Sequence, residues 1–349
     1  MLNLSFQRTE SVFEPAHVLC GKLPSRPDFI RVNANHPVAR ELDSRIQSML
    51  ERNSGDMSLR EAFGRAAPVD YCYVSQDRRH VMVGVLVPSQ DSAGRLYPFI
   101  SGLVLPNERF GEYLPVLPIA YEVFTDGLRD QAVNAVRNSV EALSCRQFLE
   151  RSLQALHSGD DDFQLAASVV LRFLEQTPCG RMADLVVAEG GLSSLHQPLL
   201  NIAFYMDYLR RFDSRVTNQV IVLPLPESGG DQALLASAWL SLLSALMPSS
   251  PMEGPWSCSH LVVSAREGLS SLVIGVGSIS DSFVSVMLGG CVGPAVSLDL
   301  ACEQDAWKSH RMYAEASYAL GRVLADPDFR LASLCRFLED MSRQLEMKR

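Results

Sequence analysis

A chain of 349 residues with 47% hydrophobic and 20% charged side chains is long enough for two packed domains and too apolar to be disordered. Its formal net charge of -9 is uneven: residues 1–160 carry 17 basic and 19 acidic side chains, and residues 161–349 carry 14 and 21. Neither half supplies the positive field that a phosphate backbone needs, so nucleic acid is excluded as the expected partner.

The first fifteen residues, MLNLSFQRTESVFEP, have no basic n-region and no continuous apolar core, so no signal peptide is expected. The longest uncharged run of helix-forming residues, Ala233 to Met247, has 15 residues, short of the ~20 that a membrane span needs. Eight cysteines are scattered without a C-x-x-C pair or metal-ligand spacing, and read as small buried hydrophobes of a reducing compartment. The expectation is a soluble, cytoplasmic protein.

His17 to Gly21 is a short apolar run that ends in Gly-Lys-Leu-Pro, a strand leading into a rigid turn. Pro37 then starts a helix in which Val38, Leu42, Ile46, Met49 and Leu50 form one apolar stripe, while Arg40, Glu41, Arg45 and Glu51 face water. Asn53 to Asp56 ends it, and Leu59 to Phe63 forms another short helix. Tyr71 to Val74, Val81 to Val87 and Tyr97 to Leu105 read as strands, the first two joined by a turn at Gln76 to Arg79.

Between the second and third of these strands lies Pro88-Ser89-Gln90-Asp91-Ser92-Ala93-Gly94-Arg95. Proline fixes φ, Ser89 and Asp91 can bond their own backbone, and Gly94 permits positive φ, so this loop is expected to hold one shape and to place Asp91 and Arg95 at defined positions. Such residues also serve as a plain hairpin turn with an internal Asp/Arg pair.

The wording GVLVPSQDSAGRLYPF, Gly84 to Phe99, closely resembles the signature segment of the TagF (ImpM) family of type VI secretion accessory proteins. Gly21-Lys22-Leu23-Pro24-Ser25-Arg26-Pro27-Asp28-Phe29-Ile30 resembles that family's opening segment. Pro27 stands where a glycine is usual, and Ala67-Pro68-Val69-Asp70-Tyr71 stands where the family tends toward Pro-Trp-Arg-Phe, which marks a divergent member. The resemblance covers roughly the first 125 residues. It implies a non-enzymatic cytoplasmic regulator that acts after translation by engaging a forkhead-associated (FHA) domain scaffold. The expected partner-binding residues are Pro24, Arg26, Asp28 and Phe29 with Ser89, Asp91 and Arg95. Alternatively, Asp91 and Arg95 pair with each other or with Asp28 and Arg26 and tie the two loops together.

Farther along, Asn107 to Gly127 contains Pro115 and Pro118 and reads as broken helical turns, and Asp130 to Leu156 reads as helical. Strands followed by helices indicate an α+β fold with a mainly antiparallel central sheet flanked by helices, α/β/α sandwich-like. His157 to Asp162 marks the expected boundary between a first domain, 1–158, and a second, smaller α/β unit, 159–300, packed beside it. A helix over Phe163 to Glu175, a break at Thr177 to Gly180, a helical face from Leu195 to Leu209, a strand over Val216 to Leu223 and a loop from Leu223 to Gly230 follow. The amphipathic helix Leu234 to Leu246 comes next, then strands at Leu261 to Ser264 and Leu272 to Val276 and a helix from Ser280 to Leu288. Residues 301–349 read as a terminal helical hairpin.

No nucleophile, base or metal constellation stands in recognisable context: the seven histidines are dispersed, and no H-E-x-x-H or G-x-S-x-G occurs. No cofactor or metal is expected. Gly275 to Ser278 leaves a weak alternative, a nucleotide-binding or hydrolytic enzyme, because it follows a strand but lacks a third glycine and a P-loop lysine. A structural assembly subunit that uses the terminal hairpin is a further alternative.

Overall fold

The computed structural model describes residues 16–107, 111–138, 142–156, 161–190, 192–211, 219–226, 230–247, 258–264, 270–277, 279–290 and 297–347. Within them, eight strands build one sheet: β1 (Ala16–Gly21), β2 (Ile30–Val32), β3 (Val69–Val74), β4 (His80–Val87), β5 (Phe99–Pro106), β6 (Ile221–Leu225), β7 (Cys258–Ser264) and β8 (Ser270–Val276). Their order is β2-β1-β5-β4-β3-β7-β8-β6, and every neighbouring pair is antiparallel. The fold is α+β, as the succession of strands and helices implies.

Helices lie on both faces, which explains why β4 and β5 read as near-continuous apolar runs instead of alternating ones. On one face, α1 (Pro37–Arg52) and α2 (Met57–Arg65) bury Val38, Leu42, Ile46 and Phe63 against Val18, Cys20, Tyr73, Met82 and Ile100. Of the stripe read along α1, Val38, Leu42, Ile46 and Met49 are buried and Leu50 is half-buried, and Asp56 caps α2 through the Ser58 and Leu59 amides. On the opposite face, α4 (Glu122–Arg137) and α5 (Leu143–Leu156) pack Leu128, Ala132 and Leu149 on Leu19, Val83, Val85 and Leu103, the alternate residues of the same strands. The short α3 (Leu117–Ala120) leads into α4.

The helical stretch expected over Asp130 to Leu156 is two helices, and the first begins at Glu122. Gly127 sits inside α4 because the Phe148 ring of α5 lies where a Cβ would meet it at 2.8 Å. The two helices are thereby closely packed.

The strands of the second half do not stand beside the first sheet. They extend it: β7 pairs with β3 in the register Val69↔Val263 to Cys72↔His260. Of the boundary expected over His157 to Asp162, residues 157–160 lie outside the described residues, and Asp161 and Asp162 belong to the next helix. Leu223-Pro224-Leu225, expected in a loop, belongs to β6, where proline is tolerated because β6 is the outermost strand. Around β6 and β8 gather α6 (Asp161–Gln176), α7 (Cys179–Gly190), α8 (His196–Arg211) and α9 (Gly230–Leu246), with Trp239 fully buried and its indole N–H donating to Pro224 O at 3.2 Å. α7 begins where a break was expected. α10 (Asp281–Met287) returns to the α1 face, where Arg52 holds Asp281 at 2.5 and 2.9 Å.

After α11 (Asp305–Lys308), the terminal helices α12 (Tyr313–Leu324) and α13 (Leu331–Met347) cover the core: α12 packs on α8, and α13 lies across α9 and α6. No helix among the described residues is long and apolar enough to cross a membrane.

Candidate functional site

The first signature loop, Gly21 to Phe29, leaves β1 at a position only glycine can occupy. Gly21 has φ +128°, and a Cβ there would meet Pro98 O at 2.0 Å. The second loop, Pro88 to Arg95, closes on itself as its residues predict. Gln90 and Leu96 form a bridge, Asp91 N–H donates to Arg95 O at 3.1 Å, and Gly94 adopts φ +76°.

Asp91 is the hub of both. Its Oδ1 accepts from the Ala93 and Arg95 amides at 3.0 and 2.9 Å, and its Oδ2 meets Arg95 Nε at 2.6 Å and Lys22 Nζ at 3.1 Å. Burial works against the charge, but the Arg95 amide, Lys22 and the Arg95 guanidinium outweigh it and hold the carboxyl well below the usual carboxylate range. Ser89 Oγ donates to Lys22 O at 2.7 Å, Arg95 Nη2 donates to Pro27 O at 3.0 Å, and Ser92 N–H donates to Arg26 O at 3.1 Å. The two loops are thus one cross-tied unit.

This divides the seven expected residues into two groups. Ser89 and Asp91 are buried and spend their polar atoms inside the unit, so they shape the surface without forming it. Arg26, Asp28, Phe29 and the Arg95 guanidinium are exposed, and Pro24 is half-buried. Asp91 pairs with Arg95 as the alternative reading has it, and its other ion partner is Lys22, which the sequence reading did not single out. Lysine beside a strand end carries no signal by itself, and only the fold brings it to Asp91.

Phe29 is 40% exposed, and its ring is held rather than loose. It meets Tyr97 edge-on at 4.8 Å between centroids, and Lys22 and Arg31 stand 5.1 and 5.4 Å from its centroid. Tyr97 OH in turn donates to Asp43 of α1. Next to this ring, between β2 and α1, a groove runs along the sheet edge. One part, 540 Å³, is lined by Phe29, Leu50, Leu96 and Tyr97. The adjoining part, 520 Å³, is lined by Arg31, Asn35, Arg40, Ser44 and Gln47. Arg31, Asp43 and Gln47 border both.

Elsewhere, Gly275 lies inside β8 with its Cα against Phe283, which a Cβ would meet at 3.0 Å. The following helix start is capped by Ser280 Oγ, which accepts from Phe283 N–H at 3.2 Å. Packing therefore accounts for this glycine, and Ser278 lies outside the described residues. Among the described residues no three His, Cys, Asp or Glu side chains cluster as metal ligands. Cys20, Cys72, Cys145, Cys179 and Cys258 are buried free thiols, while Cys302 is exposed.

Residues 18–152 match the family model described as the TagF N-terminal domain, type VI secretion system-associated. That span runs from β1 into α5 and contains both loops and the groove. No curated protein matches the chain. Among solved structures, PA0076 from Pseudomonas aeruginosa PAO1 is similar at 17% identity with a TM-score of 0.30, over 39% of this chain and 61% of that one. The chain therefore spans about three fifths of that solved relative.

Proposed function

We propose that this chain, whose residues 18–152 match the TagF N-terminal domain, is a type VI secretion system-associated protein, and that it serves that system without catalysis, as a cytoplasmic regulator that acts after translation by binding an FHA-domain scaffold. The observation that carries this reading is the buttressed loop pair: bonds from Asp91, Lys22, Ser89 and Arg95 fix a surface on which Phe29 is the exposed large apolar side chain. A rigid aromatic ring pays little ordering entropy on association, which suits it to be the anchor of an interface. Arg26, Asp28 and Arg95 around it set register and disfavour wrong partners.

Titration calorimetry of the full chain against the FHA-scaffold protein of its own secretion cluster tests this reading. Phe29→Ala, with circular dichroism unchanged, is expected to weaken binding at least tenfold. Equal affinity for Phe29→Ala and the parent chain places the interface elsewhere. No binding to the scaffold overturns the partner.

A further inference from the structure

The groove between β2 and α1 has two chemically different ends. At one end the Phe29, Leu50, Leu96 and Tyr97 side chains offer an apolar seat. At the other, Arg31, Arg40, Asn35 and Gln47 offer donors. In a chain of net charge -9, this end is locally reversed. Among the described residues no carboxylate forms an ion pair with Arg40 or Arg31, and the Arg31 guanidinium stands over the Phe29 ring. The acids that border the groove are already occupied: Asp43 accepts from Tyr97 OH, and Glu51 accepts from Gln47 Nε2 at 2.7 Å. Glu51 and Arg95 line the apolar end only and offset each other, whereas at the other end Arg31 and Arg40 face Asp43 alone, so the excess positive charge lies at the Arg40 end. Arg31, which lines both parts of the groove, belongs to β2, the outermost strand of the sheet, and an edge strand favours an extended neighbour.

We propose that this groove docks an extended acidic segment of the partner protein, a peptide whose bulky apolar side chain seats against Phe29 and Tyr97 while a carboxylate beside it meets Arg31 and Arg40. The inference rests on the partner-binding reading above and adds the chemistry of the bound segment. Charge complementarity decides the occupant. A basic segment would set its cations against the Arg31 and Arg40 guanidiniums, and an all-apolar one would bury them without adding a counter-charge. The position of Arg40, at the Asn35 end only, fixes the order, with the acidic side chain at that end.

Fluorescence anisotropy on the full chain tests this with three labelled peptides: a Gly/Ser-spaced decapeptide carrying one Leu and two Glu, the same peptide with Lys for Glu, and this chain's own residues 1–15. The Glu peptide is expected to bind, and the Lys peptide at least tenfold more weakly. Arg31→Glu, Arg40→Glu and Phe29→Ala should each weaken the Glu peptide at least tenfold with an unchanged circular dichroism spectrum. Arg60→Glu, an exposed change on α2, should leave binding as it is. Equal binding of the Glu and Lys peptides overturns the proposal, as does an Arg40→Glu chain that binds like the parent, or no binding of the Glu peptide. Tighter binding of residues 1–15 overturns it in favour of the chain's own N-terminal segment. The two readings fail separately: scaffold binding that depends on Phe29 but not on Arg40 leaves the function standing and removes this inference. Glu-peptide binding without scaffold binding does the reverse.

Discussion

Lys22 Nζ lies 3.1 Å from Asp91 Oδ2, with 8% and 0% of the two side chains exposed, so a buried ion pair joins loops that are 69 residues apart in the chain. Removing Asp91 leaves the ammonium buried and also strips the Ala93 and Arg95 amides of their acceptor. Asp91→Ala is therefore expected to lower the urea midpoint more than Asp91→Asn, whose amide oxygen can still accept from those amides. The depressed carboxyl also fixes a pH sign. Its contribution is complete above the ordinary aspartate value of 3.8 and is lost as pH falls below it, so the gap between the parent chain and Asp91→Asn should narrow in acid. A gap that stays constant from pH 6 to pH 3 would show that Asp91 does not carry this charge.

Asp70 of β3 explains one departure from the family's wording. Where the resemblance leads one to expect an arginine, this chain has an acid, and Arg129 of α4 grips it: Nε donates to Oδ1 at 3.1 Å, and Nη2 meets Oδ2. The pair fastens α4 to the sheet. Arg129→Ala leaves a mostly buried carboxylate and is expected to cost roughly 2 kcal/mol in chemical denaturation. Exchanging the two, Asp70→Arg with Arg129→Asp, should recover part of that loss. A double-mutant cycle with a coupling energy near zero would deny the pair any role.

Much of this half was legible because its physics is local. Apolar periodicity located α1, proline and glycine located the loops, and the need for positive φ at Gly94 was readable before any fold was known. What escaped the sequence depends on contacts between distant residues. β2 is three residues long, too short for a period, and exists because β1 lies beside it. β7 joins β3 across some 190 residues, which no local pattern encodes. The sequence singles out Phe29 as a candidate anchor but not Arg31 and Arg40 as its neighbours in a groove, since β2 and α1 form that groove only after folding.

His260 of β7 is fully buried, and burial alone lowers its pKa from 6.5 to about 4. His36 is shifted the same way to about 4, chiefly by burial and then by His80. Each stays neutral in the fold while its unfolded counterpart takes a proton. The stability they allow is complete above about pH 6.5 and lost as pH falls toward about 4, at up to about 1.4 kcal/mol per pH unit for His260. Between pH 6.5 and pH 5 the chain should lose roughly 1.5 kcal/mol through His260. His260→Leu should flatten that share of the slope in urea titrations, and an identical slope in both chains would move the effect to other groups.

The terminal helix α13 is expected to be part of the folding unit and not an attachment. Leu331, Leu334, Leu338, Met341 and Leu345 lie buried in the same cluster as Trp239 and Leu242 of α9. Ser342 Oγ donates to Leu246 O at 3.2 Å, and Arg210 Nη1 meets Glu346 at 3.0 Å. The segment before α13 is stitched to the start of α7, where Cys179 N–H donates to Phe329 O at 2.7 Å and Leu331 N–H donates to Thr177 O at 3.0 Å. Leu338 is fully buried, so Leu338→Ala removes its transfer energy and leaves a cavity, together about 3 kcal/mol. Deleting residues 303–349 should expose that whole cluster, giving dye binding and a broad, non-cooperative melt. An assembly subunit that used this end only to contact its copies would instead lose its oligomeric state and keep a sharp transition as a folded monomer. Size-exclusion chromatography beside the melt separates the two, because buried leucines and cross-segment backbone bonds predict the loss of the fold, whereas an interface predicts the loss of the partner alone.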